Sequence, residues 1–132
     1  MYPVNLPSSP ISEEAANCLS SDLVGDLVYI TGPSIEGLLQ VSRVDISDST
    51  KVPSVGIIVS KASPTICRVL RSGVFSTGSL VSGKLYFAGV DGRPTEIRPV
   101  ATPSKVFVQV VGVALDASSL LVSPSFNMVR VI

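Results

Sequence analysis

The chain has 132 residues, ten Lys and Arg against ten Asp and Glu, no His, and 45% hydrophobic residues beside only 15% charged ones. That length supports one modest core rather than two, and the even charge balance excludes the electropositive footprint with which nucleic-acid binders gather phosphates. No apolar run approaches the roughly 18 residues of a membrane helix and no basic-then-apolar leader opens the chain, so the excess apolar surface is expected to meet other protein chains.

Pro3, Pro7 and Pro10 punctuate the first dozen residues. Each proline fixes φ and removes an amide donor, so this stretch is expected to be extended, without a fold of its own. Residues 1–16 therefore read as an arm and 17–132 as the folded domain. Along the arm Tyr2, Val4, Leu6 and Ile11 are spaced as apolar anchors for a neighbouring chain; a tail without fixed structure is the plainer alternative. Ser12 ahead of Glu13-Glu14-Ala15-Ala16 has the grammar of a cap on one short helical turn.

Strand signals begin at Asn17 and barely pause. Leu27 to Thr31 is β-prone between Gly25-Asp26 and Gly32-Pro33, and Leu38 to Val44 alternates apolar and polar residues after Glu36-Gly37. Asp45 to Pro53 is polar and reads as a loop. Ser54 to Ser60 and Ile66 to Leu70 are strands, whereas Val74-Phe75 and Leu80-Val81, hemmed in by Gly73, Gly78 and Gly83, read as short irregular strands or an exposed loop. Lys84 to Ala88 leads through Asp91-Gly92 into Thr95 to Arg98, a hairpin signal. Ile97 to Pro103 is a connection, Val106 to Leu115 and Leu120 to Val122 are strands, and Phe126 to Ile132 closes the chain as a last one. The sum is an all-β domain, a small β-barrel or β-sandwich of about eight to ten short antiparallel strands.

One phrase occurs twice. Val55-Gly56-Ile57-Ile58-Val59-Ser60-Lys61-Ala62-Ser63 is matched by Val111-Gly112-Val113-Ala114-Leu115-Asp116-Ala117-Ser118-Ser119, each entered through a glycine, left through a small polar turn and followed by a second apolar run. A glycine at one place in both strands marks a bulge or a close backbone approach.

Catalytic chemistry is not expected. The absence of histidine removes the commonest general base, serine partner and metal ligand together, and the neighbours Ser60-Lys61 and Ser104-Lys105 point to opposite faces of a strand. Asp22 and Asp26 around Gly25, and Asp45 and Asp48 in a Ser-rich loop, lack the dense acidic spacing of a calcium loop; turn chemistry is the reading for Asp22 and Asp26. No cofactor and no metal are called for. Arg68 to Arg71 is the one locally basic stretch and reads as a solvated strand face. Cys18 and Cys67 are too few and too far apart for a disulfide framework and read as small buried hydrophobes; a bond between them would require the first strand to lie beside the strand holding Cys67, and none is expected.

Taken in order, Asn17 to Ser21 leading into Val24-Gly25-Asp26-Leu27-Val28-Tyr29-Ile30, then Pro53 to Lys61, then Gly83-Lys84-Leu85-Tyr86-Phe87, then Gln109 to Leu115, resemble a small β-module of tailed-bacteriophage virion proteins. In that grouping a VGD-VY strand opens the domain and a VG-AL run followed by LLV closes it. The resemblance covers roughly residues 17 to 123. It implies a virion structural protein: a capsid decoration or cement protein on the capsid surface, binding the major capsid protein and itself as a dimer or trimer. A tail-fibre, baseplate or glycan-binding module of the tail is the alternative it leaves open, and the lack of Trp, with three Tyr and four Phe, argues against aromatic sugar platforms.

Overall fold

Eleven strands and no helix make up the residues described in the computed structural model, 12–101 and 106–131. Five of them, β1 (Ser12–Asn17), β2 (Leu27–Ile35), β3 (Leu38–Arg43), β4 (Gly56–Ser63) and β5 (Ile66–Ser76), close a barrel in the order β1-β3-β2-β4-β5, with β5 returning to β1. From the far end of β5 the sheet continues through β10 (Ser119–Val122), β9 (Val110–Asp116), β6 (Leu85–Ala88) and the two-residue β7 (Pro94–Thr95). Two further strands, β8 (Val106–Val108) and β11 (Val129–Val131), pair antiparallel by themselves. All-β architecture with a small barrel is thus what the alternating apolar pattern specifies, and the sheet beyond β5 extends it.

The barrel interior draws a residue from every one of its strands. Ala16, Val28, Val41, Ile58, Cys67 and Val69 meet there with Cys18, all nearly or wholly excluded from solvent. A second, larger core forms on the other side of the same wall, where Leu27, Ile57 and Leu70 pack with Tyr86, Val111, Ala114, Leu120 and Val122. Register explains the division: Leu27 lies opposite Ile57 and Ile57 opposite Leu70, while Ile58 lies opposite Val69. Because successive side chains alternate faces, the pairs Leu27-Val28, Ile57-Ile58 and Val69-Leu70 each send one residue into each core.

The doubled phrase becomes two hairpins, β4–β5 turning at Pro64-Thr65 and β9–β10 turning at Ala117-Ser118. In both the glycine is a close approach. A Cβ on Gly56 would stand 2.5 Å from the Leu70 carbonyl oxygen, and one on Gly112 would overlap the carbonyl oxygen of Leu121. The β2–β3 hairpin turns through Glu36 and Gly37, both at positive φ (52° and 80°), with Ile35 facing Leu38. That is the mirror-image two-residue turn whose twist suits paired strands.

Four elements differ from the expectation, the first being the Thr95 to Arg98 strand, which is reduced to the two-residue β7. The helical turn at Ser12 is instead strand β1, antiparallel to β5 and parallel to β3, so residues 12–16 belong to the barrel wall. Exposed Glu13 and half-buried Glu14 are matched across the strands by Arg68 at 2.9 Å and Arg71 at 2.6 Å, and fully buried Ala16 faces Cys67. Val74-Phe75 is no separate piece but the distal part of β5, which finds a partner in β10. The run Val106 to Leu115 is broken at Gln109, whose side chain turns inward. The arm anchors Tyr2, Val4, Leu6 and Ile11, and the Ser104-Lys105 pair, lie outside the described residues.

Gln109 is 1% exposed and acts as a ladder rung built from a side chain. Its Oε1 accepts the Ser54 amide at 2.8 Å, and its Nε2 donates to the carbonyls of Ser54 and Ser125, both at 2.9 Å. The amide therefore ties the Pro53–Ser54 approach to β4, the β8–β9 junction and the segment before β11. Gln109→Leu keeps the volume but leaves one buried N–H and two carbonyls unpaired, so it is expected to destabilise by about 3 kcal/mol in urea unfolding. Gly56→Val and Gly112→Val, each forcing a β-branched side chain onto a backbone carbonyl, are expected to lower the melting temperature; unchanged melting in both would remove the close approach as the reason for the repeat.

Candidate interaction surface

Buried carboxylates are where a small domain most often hides chemistry, and Asp22 and Asp26 are 2% and 0% exposed. Both are turn clamps. The tandem Leu19-Ser20-Ser21-Asp22 and Leu23-Val24-Gly25-Asp26 makes two successive turns, and in each the Asp side chain accepts the amide of the leucine three residues back at 2.8 Å. The Asp main-chain amides return bonds to the same leucine carbonyls, both at 3.0 Å. Asp22 also accepts from the Arg43 amide at 3.3 Å and the Ser42 hydroxyl at 3.4 Å. Asp26 Oδ1 sits 3.2 Å from Arg93 Nε, held by charge without an aligned hydrogen bond, while Arg93 Nη2 donates to the Val24 carbonyl at 3.3 Å.

The other polar candidates resolve in the same manner. Lys61 Nζ donates to the carbonyls of Asp22 at 2.6 Å and Leu19 at 3.3 Å, so it pins the first turn to β4 rather than activating Ser60. Asp45 and Asp48 each bond the hydroxyl and amide two residues on. The Ser47 and Thr50 hydroxyls, reinforced by the same residues' amides, hold the two carboxyls below the usual carboxylate range. Asp116 is lowered likewise, first by the Ser118 amide at the β9–β10 turn. Arg68 and Arg71 have their charges met by Glu13 and Glu14, but they lie on opposite faces of β5 with Val69 and Leu70 buried between them, so the stretch is not one solvated strand face. An open groove of about 650 Å³ runs between the Asp22 turn and the Asp45 loop, with Arg43 and Lys51 set against Asp45 and Asp91. Among the described residues no three His, Cys, Asp or Glu side chains gather as a metal site.

Beside that polar groove the surface presents two apolar features. Val74, Leu121, Val113 and Leu85 lie in one register row across β5, β10, β9 and β6, on the face opposite the core residues Leu120, Ala114 and Tyr86. The ends of that row, Val74 and Leu85, are 50% and 52% exposed. A second patch surrounds the β6–β7 turn, where Val90, Ile97 and Val100 are the most exposed of the large apolar side chains, at 79%, 74% and 64%. They line a cleft of about 360 Å³ together with Arg98 and Pro99. Isolated exposed apolar residues are ordinary, but rows and clusters of them mark contact surfaces. Sequence reading placed the contacts on the arm and missed both patches. Alternation in β9 and β10 is a signal for the first once the pairing partner is known; for the second, the stretch from Thr95 to Pro103 reads as a hairpin strand running into a connection and gives no sign of a patch.

No family model, curated protein or solved structure matches this chain.

Cys18 and Cys67 meet in the barrel interior as free thiols. Burial, then the contact with Cys18, pushes the Cys67 thiol from its ordinary 9.0 up to about 12. A thiol whose folded pKa is raised adds stability that is complete below pH 9 and is lost as pH rises from there toward 12. The difference in stability between the wild type and Cys67→Ala is therefore expected to shrink across that window in urea titrations. A difference that stays constant would mean the thiol is not shielded.

Proposed function

We propose that this chain is a structural protein of a bacteriophage virion, a capsid decoration or cement protein that binds the outer shell and bridges neighbouring capsomers. The observation that carries the reading is the ordered set of segments, Val24 to Ile30, Pro53 to Lys61, Gly83 to Phe87 and Gln109 to Leu115, resembling the virion β-module. In the fold these segments supply the shared wall of β2 and β4 and the β6–β9 pair that packs against it. Low charge, the exposed row from Val74 to Leu85 and the Val90–Ile97–Val100 patch support a protein that works by contact with other chains. The partners in this reading are the major capsid protein and further copies of the chain itself, on the capsid surface. No catalytic step, cofactor, nucleic acid or membrane enters it.

An arm adds contact area without adding core, and Tyr2, Val4, Leu6 and Ile11 would each contribute about 1 to 3 kcal/mol if buried on assembly, before ordering costs. Deleting residues 1–11, which spares β1, is expected to leave a folded domain that is lost from purified shells under mild heating while the full chain stays bound. Equal retention would move the attachment surface to the two apolar patches. Copy number per particle tests the location: hundreds of chains fit a shell component, a few dozen a tail part.

A further inference from the structure

The first strand does lie beside the strand holding Cys67. Ala16 is directly opposite Cys67 in the β1–β5 ladder, and Cys18, two residues on, points to the same face and anchors its amide to the Thr65 carbonyl at 2.9 Å. Cys18 and Cys67 are thus diagonal neighbours across the β1–β5 pair, and both belong to the one cluster that fills the barrel. Both are in the barrel interior, at 6% and 0% exposure, packed in one buried cluster. The Cys18 thiol donates to the Pro64 carbonyl, at the weak distance of 3.8 Å.

We infer that Cys18 and Cys67 form a covalent cross-link site: under a disulfide oxidant they join into an intramolecular disulfide that fastens β1 to β5 and locks the barrel closed. This holds whether or not the chain is a virion protein. The chemistry balances with glutathione disulfide as oxidant. Cys18 Sγ, deprotonated by solvent, attacks one sulfur of glutathione disulfide and expels one glutathione. Cys67 Sγ, also giving its proton to solvent, then attacks Cys18 Sγ, forms the protein disulfide and expels the second glutathione. Two protein thiols lose two electrons and one glutathione disulfide gains them. Both sulfurs are buried and the Cys67 thiol is hard to ionise, so the exchange proceeds before β1 docks or when it opens, not on the closed barrel. The loop that the bond closes contains β2, β3 and β4, and restricting so long a loop in the unfolded chain is what stabilises the folded one.

The full-length chain, refolded in a glutathione disulfide buffer and again in dithiothreitol, tests this. Under oxidation, mass spectrometry is expected to show the loss of two hydrogens and a non-reducing digest to yield one peptide pair joined through Cys18 and Cys67. Thermal melting of the oxidised protein is expected to rise by roughly 10 °C over the reduced protein, and Cys18→Ala is expected to show no such rise. Glutathione adducts without the linked pair, intermolecular linkage, or a linked pair that melts lower than the reduced protein would each overturn the inference, since each means that the barrel cannot accommodate the bond.

Discussion

Everything in this fold hangs on one wall with two hydrophobic faces. Leu27-Val28, Ile57-Ile58 and Val69-Leu70 are buried on both sides, so β2, β4 and β5 serve the barrel interior and the outer core at once. Removing either core exposes half of the wall, and at about 25 cal/mol per Å² of apolar surface neither half stabilises a chain of this size comfortably by itself. The barrel and the β10-β9-β6 extension are therefore expected to be mutually dependent rather than separable. β5 joins them physically, since its first part completes the barrel and its last part starts the extension.

Irregular segments around the wall are held by side chains standing in for backbone. Asp22 and Asp26 clamp the two turns ahead of β2, Lys61 reaches across from β4 to the first of them, and Gln109 forms a rung with Ser54 and Ser125. Buried polar groups of this kind are tolerated only when satisfied, and here they set where loops enter and leave the sheet. Gly92 completes the set: its carbonyl accepts the Leu27 amide at 2.8 Å, which docks the β6–β7 turn on the start of β2. Much of the buried polar chemistry of this protein is thus spent on architecture.

That allocation is in keeping with the attachment role proposed above. The apolar row across β5, β10, β9 and β6 and the patch at Val90, Ile97 and Val100 belong to the extension and its turn, whereas β1 and β5 carry matched charges. Attachment through the extension would leave the closed barrel as a rigid body, and a lock between Cys18 and Cys67 would harden that body without touching either patch.

Much of the fold was legible because β grammar is local. The alternation in β3, the runs of β2 and β4, the Asp45–Pro53 loop, the Asp91-Gly92 turn and the doubled glycine-entered strands follow from side-chain period and turn chemistry, which the sequence carries in order. The exclusion of a histidine-based site, and the reading of Asp22 and Asp26 as turn residues, were likewise matters of residue type. Ser12–Asn17 shows where local reading stops. Glu-Glu-Ala-Ala favours a helix by propensity, yet the strand wins because β5 offers Arg68 and Arg71 to the glutamates and a buried place opposite Cys67 to Ala16. The meeting of Cys18 with Cys67, the inward turn of Gln109 and the alignment of Val74 with Leu85 are decisions of strand register between distant segments. No single segment encodes that register, because the two-sided burial that selects it exists only once the whole sheet has closed.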